Sequence, residues 1–431
     1  MIKRVHIKGY KSLSDVEIEL QPLTIVFGPN AAGKSNLFDA LGLVSRIATS
    51  KTLRQAFHQH RGAPVEAFYY ADTGLEGLFE RKTAQFTIEL DLRLSEDVVK
   101  TVEDRVQQMR EEVPGREDLV ERPRRTVVER DLRYSVTIQI ATDTGYLQVL
   151  SERLAALKAD GTGEKRSRAP FISREDNKIR LRRERGAGRP TEYDVGLDYS
   201  LVSTPLYPPH YPHVSAFKED LARWRFYYLE PSVMREPTPI KVVDTLGPEG
   251  ADLAAFYNFL KSENPSSFND INRALDQLVP TIRGFDVVRS NDGFLHLLID
   301  EDDVLFSARV ISEGTLRLLA LLAITNSPTP PTVIGYEEPE NGVHPRRLKL
   351  IADLLENAAM ENRTQIIVNT HSPILPEYFD DDALFVCGKV GHETIIQKFT
   401  SDGPLFKAQE IRAALDETPL SERILRGDFG G

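Results

Sequence analysis

Gly28, Gly33, Lys34 and Ser35 occupy the defining places of G-x-x-x-x-G-K-[ST] within GPNAAGKS, and each residue type meets one need of a bound triphosphate. Glycines let backbone N–H groups wrap the phosphates, the Lys34 ammonium reaches the β- and γ-phosphates, and the Ser35 hydroxyl suits Mg²⁺. Asn30 and Asn36, within and just after the loop, are counted with the nucleotide-binding residues. Far downstream, GYEEPENGVHP carries two adjacent carboxylates, Glu337 and Glu338, and NTHSP carries His371. At the ends of strands these suit, in turn, Mg²⁺ held through water, polarisation of an attacking water, and contact with a γ-phosphate. Between them, ISEGTLRLL sets Ser312, Glu313 and Gly314 before an apolar helix, where Ser312 can cap and free N–H groups can meet an anion. Singly, each has a plainer reading, since strand-end glutamates are often solvated and a lone histidine is often structural. Together, in this order, they point to a site that binds and hydrolyses a nucleotide.

The elements that must position these residues are legible as patterns. LTIVF reads as a buried strand, and Leu37, Leu41 and Val44 recur at helical spacing after the loop, so the loop sits between a strand and a helix N-terminus, where anions bind. TVIGYEE and TQIIVNTH read as two more buried strands, each delivering its polar groups at the C-terminal end, where open parallel sheets bind ligands. KRVHIKG, DVEIEL, AQFTIELDLRL, RYSVTIQIAT and YLQVLSERL read as further strands by content and alternation. A charged helix follows at 95–121, broken at Pro114-Gly115, and FDVVRSNDGFLHLLID reads as a hairpin turning at Asn291-Asp292-Gly293. The expected fold is α/β, a P-loop head with a mixed sheet and an antiparallel β lobe. Residues 1–95 and 286–431 form its two parts, and 96–285 an inserted, mainly helical lobe.

The chain has 431 residues, 41% hydrophobic and 28% charged, enough core for two or three domains. A single cysteine, Cys387, cannot form an intrachain disulfide and suits a reducing cytosol. No apolar run approaches the ~18 residues of a membrane span, and MIKRVHIKGYKSL lacks a signal-peptide core, so a cytoplasmic protein without a membrane anchor is expected. The net charge of −11 argues against indiscriminate coating of nucleic acid. Residues 165–189, however, hold ten Lys/Arg against three Asp/Glu, a local +7, leaving about −18 elsewhere. That segment reads either as a DNA-tracking surface or as the charged edge of a β-hairpin.

The order GPNAAGKS, ISEGT, EEPENGVHP, NTHSP resembles the ABC-type ATPase heads of the SMC/RecF/OLD group. It is most similar to bacterial RecF-like AAA-family ATPases with the signature S-(D/E)-G-T-x-R, and IKGYKSLSDVEIELQPLTIVFGPNAAGKSNLFDAL and GADLAAFYNFL extend the likeness over most of the chain. The resemblance implies ATP and Mg²⁺ as ligands and a pair of heads sandwiching ATP. Ser312 and Gly314 of one subunit would contact the γ-phosphate held by Gly33, Lys34 and Ser35 of the other. Lys11 in GYKSL matches a basic residue that approaches the nucleotide in such heads, and Asn341 and His344 match a loop that crosses the dimer interface. The first acid of the strand-end pair is Glu337 where these proteins usually carry Asp, and about 60 residues follow His371, too few for the Toprim nuclease of OLD proteins.

Three functions fit this reading. The first is an ATP-switched sensor or scaffold controlling a separately encoded effector, nuclease or toxin, as in AriA-like anti-phage defence ATPases. The others are a RecF-like DNA repair ATPase and a transporter's nucleotide-binding subunit.

Overall fold

The computed structural model describes residues 1–70, 72–111, 125–158, 160–184, 188–361, 364–399 and 419–425. Three sheets carry it. The first is antiparallel and starts with β1 (Ile2–Tyr10) and β2 (Leu13–Glu19), in which buried and exposed residues largely alternate, the mark of a sheet covered on one face. It continues through β4 (Thr83–Arg93), β5 (Asp131–Ala141), β6 (Leu147–Ala156), β7 (Ile172–Glu175), β8 (Lys178–Leu181) and β9 (Thr191–Asp194), in the order β2-β1-β4-β5-β6-β7-β8-β9.

The second sheet holds the candidate site. Its order is β10-β15-β16-β3-β17-β18, from Trp224–Tyr227, Val333–Glu337, Gln365–Thr370, Leu23–Phe27, Leu384–Val390 and Glu393–Lys398. All its neighbours pair in parallel except the β17–β18 hairpin. β15 and β16 are buried at every residue, as strands covered on both faces must be, and the Val/Ile runs within them suit that burial. The third sheet is built by β11 (Thr238–Pro239), β12 (Ile282–Arg289), β13 (Phe294–Glu301) and β14 (Val304–Ser307). β12 and β13 form the expected hairpin, with Gly293 at φ +85° in its turn.

Helices cover the parallel sheet on both sides. α1 (Lys34–Thr49), α2 (Leu53–Phe57), α3 (Gly74–Phe79), α4 (Glu96–Glu111) and α5 (Pro212–Ala222) precede α6 (Pro231–Met234), α7 (Leu253–Glu263), α8 (Pro265–Leu278), α9 (Glu313–Thr325) and α10 (Leu348–Glu361). Val26 and Ile367 belong to the core beneath α1 and α5, which extends into the first sheet. Ile25, Phe27, Tyr336 and Val368 belong to a second core under α7, α9 and α10. The strand period of two thus divides each parallel strand between two cores.

The break expected at Pro114-Gly115 lies outside the described residues. The stretch 96–285 does not stand apart from the sheets: β5–β9 extend the sheet begun by β1 and β2, and β10 pairs with β15, so cuts at 96 and 286 run through both sheets.

Candidate functional site

The loop between β3 and α1 is shaped by backbone that side chains rarely tolerate. Gly28 has φ +154° and Gly33 φ +106°, and Ala31 between them also has positive φ. A Cβ on Gly28 would stand 2.0 Å from the Cys387 carbonyl oxygen, and one on Gly33 2.0 Å from Thr394 Oγ1. Both glycines are therefore required twice, by conformation and by the hairpin β17–β18 pressed against the loop. That hairpin is bonded to it: Thr394 Oγ1 donates to the Ala32 carbonyl at 2.8 Å and lies 2.6 Å from Ser12 Oγ, which accepts from Asn36 Nδ2 at 2.7 Å.

Lys34 folds back over the loop, its Nζ donating to the carbonyls of Gly28 at 2.8 Å and Pro29 at 2.9 Å. Burial holds its ammonium below the usual lysine range, against the opposing pull of Cys387, Glu338 and Glu340. Ser35 Oγ donates to Glu337 Oε2 at 3.2 Å, so the hydroxyl at the helix start and the carboxylate at the end of β15 meet. Glu337 is buried, and desolvation raises its pKa against the opposing charge of Arg61. Arg61 lies 2.6 Å from Glu337 Oε1 and 3.5 Å from Asp39 Oδ1. Lys11 Nζ donates to Asp39 Oδ2 at 2.6 Å and to the Arg61 carbonyl at 3.3 Å. Lys11, Ser12, Asn36, Arg61, Tyr70 and His392 are among the residues lining a cavity of about 510 Å³ beside the loop.

Glu338 leaves the strand at φ +50°, a left-handed conformation unusual for glutamate, its N–H donating to the Asn369 carbonyl at 2.9 Å. One carboxylate oxygen lies 3.2 Å from His371 Nδ1, and the other accepts from Asn341 Nδ2. Glu340, the third acid of EEPEN, accepts from Thr370 Oγ1 and the Ser372 N–H.

The structure thus brings Lys34, Ser35, Glu337, Glu338 and His371 to the carboxyl ends of β3, β15 and β16. Asn30 is exposed at the crest of the loop. Ser312 and Gly314 do not join this group: Ser312 is exposed and its Oγ caps α9 by accepting from Thr315 N at 3.3 Å, while Gly314 is buried against Gly342 in the loop that follows Glu338. His344 is exposed and accepts from Arg346 N at 3.2 Å. Sequence reasoning missed Arg61, Asp39, Ser12, Thr394 and Asn369. Only Asn369 carried a local signal, a polar residue inside an otherwise buried strand.

A Mg²⁺–triphosphate fits what is present. The loop leaves backbone N–H groups at a helix start, a lysine spans it, and a hydroxyl and a carboxylate converge as hard oxygen ligands. In the basic segment 165–189 some of the charges are matched. Lys178 pairs with Asp194 at 2.6 Å, Arg180 with Glu175 and Glu192, and Lys165 with Glu129 at 2.5 Å. β8 is itself covered by β9, the outer strand of the sheet, so its charges lie one strand in from the edge.

Fold and site together define a P-loop ATPase head of the SMC/RecF/OLD-like ABC type. A family model described as AAA domain, putative AbiEii toxin, Type IV TA system matches residues 160–375, half of the chain, and the chain belongs to that family. A second model, described as AAA ATPase domain, matches residues 1–181. The chain is 43% identical over 44 residues to the OLD nuclease of Thermus scotoductus, a match spanning 10% of this chain and only 8% of that protein. Among solved structures, an SMC head bound to the C-winged helix domain of ScpA superposes with a TM-score of 0.50 at 13% identity. It covers 93% of this chain and 98% of its own, a likeness of fold. An SMC head with an extended coiled coil, bound to the C-terminal domain of ScpA derived from Pyrococcus furiosus, gives 0.48 at 14% identity over 96% and 99% of the two chains. Among the described residues no helix is long and apolar enough to cross a membrane.

Proposed function

We propose that this protein binds and hydrolyses ATP, closes as a pair of heads around it, and so controls a separately encoded effector in anti-phage defence. The meeting of Ser35 with Glu337 beside the Glu338–His371 pair carries the reading. Backbone N–H groups of residues 30–34 and Lys34 Nζ hold the phosphates, while Ser35 and Glu337 hold Mg²⁺. The metal, when bound, offsets charge on the β- and γ-phosphates. Glu338 takes the proton of the attacking water. Its two oxygens are already fixed by His371 and Asn341, so little reorganisation remains at the moment of reaction. His371, its Nδ1 engaged by Glu338, contacts the γ-phosphate in this reading and links its loss to the carboxylate.

A family described by a putative toxin and a Type IV TA system supports a place in a defence or toxin system, and an SMC head bound to ScpA supports docking of a second protein on such a head. Glu338→Gln is expected to bind ATP and to lose on the order of 10²-fold or more in turnover. Steady-state ATPase at the wild-type rate in that variant would sink the assignment.

A further inference from the structure

Every residue of β16 is buried, yet three of them are polar. Gln365 is fully occupied: its Oε1 accepts from Ile2 N at 2.7 Å, and its Nε2 donates to the carbonyls of Ile2 at 2.8 Å and Gln21 at 2.9 Å. Thr370 donates to Glu340. Asn369 is 1% exposed, and among the described residues neither its Nδ2 nor its Oδ1 has a partner. A buried amide without partners costs folding free energy, and native proteins keep few of them. The other two polar residues of the strand are satisfied.

The register shows where the amide points. Asn369 pairs with Glu337 on one side and Val26 on the other, and laterally paired residues share a face of the sheet. On that face Glu337 meets Ser35 of α1, and Val26 contributes to the core beneath α1. The open amide therefore lies between the carboxylate and the strand that feeds the phosphate loop, facing the first turn of α1.

We propose that Asn369 is a positioning residue for the Mg²⁺–triphosphate, held open in the nucleotide-free protein and satisfied only by the ligand. Its Oδ1 accepts from a metal-bound water and its Nδ2 donates to a phosphate oxygen. The inference rests on the reading of the loop as a nucleotide site, and it extends that site to a residue whose role is not hydrolysis but selection of the metal-loaded ligand.

The test uses the full chain and MgATPγS, with Asn369→Leu, which keeps the shape and deletes the open groups, and Asn369→Ser, which guards against overpacking. Calorimetry is expected to show MgATPγS affinity about three- to tenfold weaker in both variants, with a smaller loss when the nucleotide is titrated in EDTA. The nucleotide-free Leu variant is expected to melt higher than wild type, since it sheds an unpaired buried amide; a purely structural asparagine would give the reverse. MgATPγS affinity within twofold of wild type in both variants overturns the proposal whatever the melting temperatures do. Lys34→Ala is measured alongside. If wild type itself binds no nucleotide, the underlying site reading fails and this inference with it; if wild type binds and Lys34→Ala does not, the outcome bears on Asn369 alone.

Discussion

The Arg61 guanidinium lies 2.6 Å from Glu337 Oε1 and 3.5 Å from Asp39 Oδ1, so the carboxylate that the proposed mechanism gives to Mg²⁺ already has a cation. Two positive charges on one buried carboxylate repel, and the guanidinium must move or weaken its hold as the metal enters. Arg61 is half exposed, so solvent screens the pair and the competition is moderate. Removing it with Arg61→Ala is expected to tighten Mn²⁺ binding to the nucleotide-free protein roughly three- to tenfold, read by the loss of free-ion signal in electron paramagnetic resonance. Weaker Mn²⁺ binding in the variant would mean that Arg61 shapes the carboxylate for the metal instead of competing with it. Lys11 takes part at one remove, since it shares Asp39 with Arg61.

The hairpin β17–β18 acts as a roof on the phosphate loop, and the two loop glycines meet it differently. A methyl on Gly28 would collide with the Cys387 carbonyl, which is backbone held in a sheet, whereas one on Gly33 would meet the Thr394 and Ser12 hydroxyls, which can rotate. Gly28→Ala is therefore expected to lower stability by ~2–4 kcal/mol, seen as a lower denaturant midpoint. Gly33→Ala should cost less stability but should break the Thr394–Ala32 tie and with it nucleotide binding. Equal stability losses in the two variants would count against this account. The strands around this loop were legible because their chemistry is local: LTIVF, VIGYE and QIIVNT are runs fit for burial on two faces, and Asn291-Asp292-Gly293 is a turn by composition. The roof was not, because Thr394 reaches Ala32 across 362 positions and Arg61 reaches Glu337 across 276. Nothing in QHRG marks a partner at that separation. β10 hid for another reason, being four residues, WRFY, in a stretch rich in Pro and Tyr, where pairing to β15 and not propensity decides the strand. Likewise, alternation in 131–156 marked strands without saying that they would join β4.

For the whole molecule, the proposed mechanism needs two copies. Ser312 is exposed at the start of α9 and makes no hydrogen bond to its own phosphate loop among the described residues, and the proposed mechanism has this helix start close on a second head's nucleotide. Ser312→Arg is expected to bind ATP and fail to hydrolyse it; mixed with Lys34→Ala, it should regain roughly one working site per heterodimer, because the two defects fall on opposite sides of each composite site. Normal ATPase from Ser312→Arg alone would show that the signature does not act in trans, and a circular dichroism melt separates that outcome from the ~1 kcal/mol cost of the lost cap. The place of β3 in the sheet bears on how the molecule is made. Both of its neighbours come late in the chain, β16 from residue 365 and β17 from residue 384. At ~5–20 residues per second, a ribosome that has finished Phe27 needs roughly 17–70 s to reach Gln365. Throughout that interval LTIVF travels with both edges bare, an apolar strand seeking any partner. A strand whose two neighbours are both made this late leaves the nascent chain dependent on shielding of LTIVF until β16 and β17 have emerged.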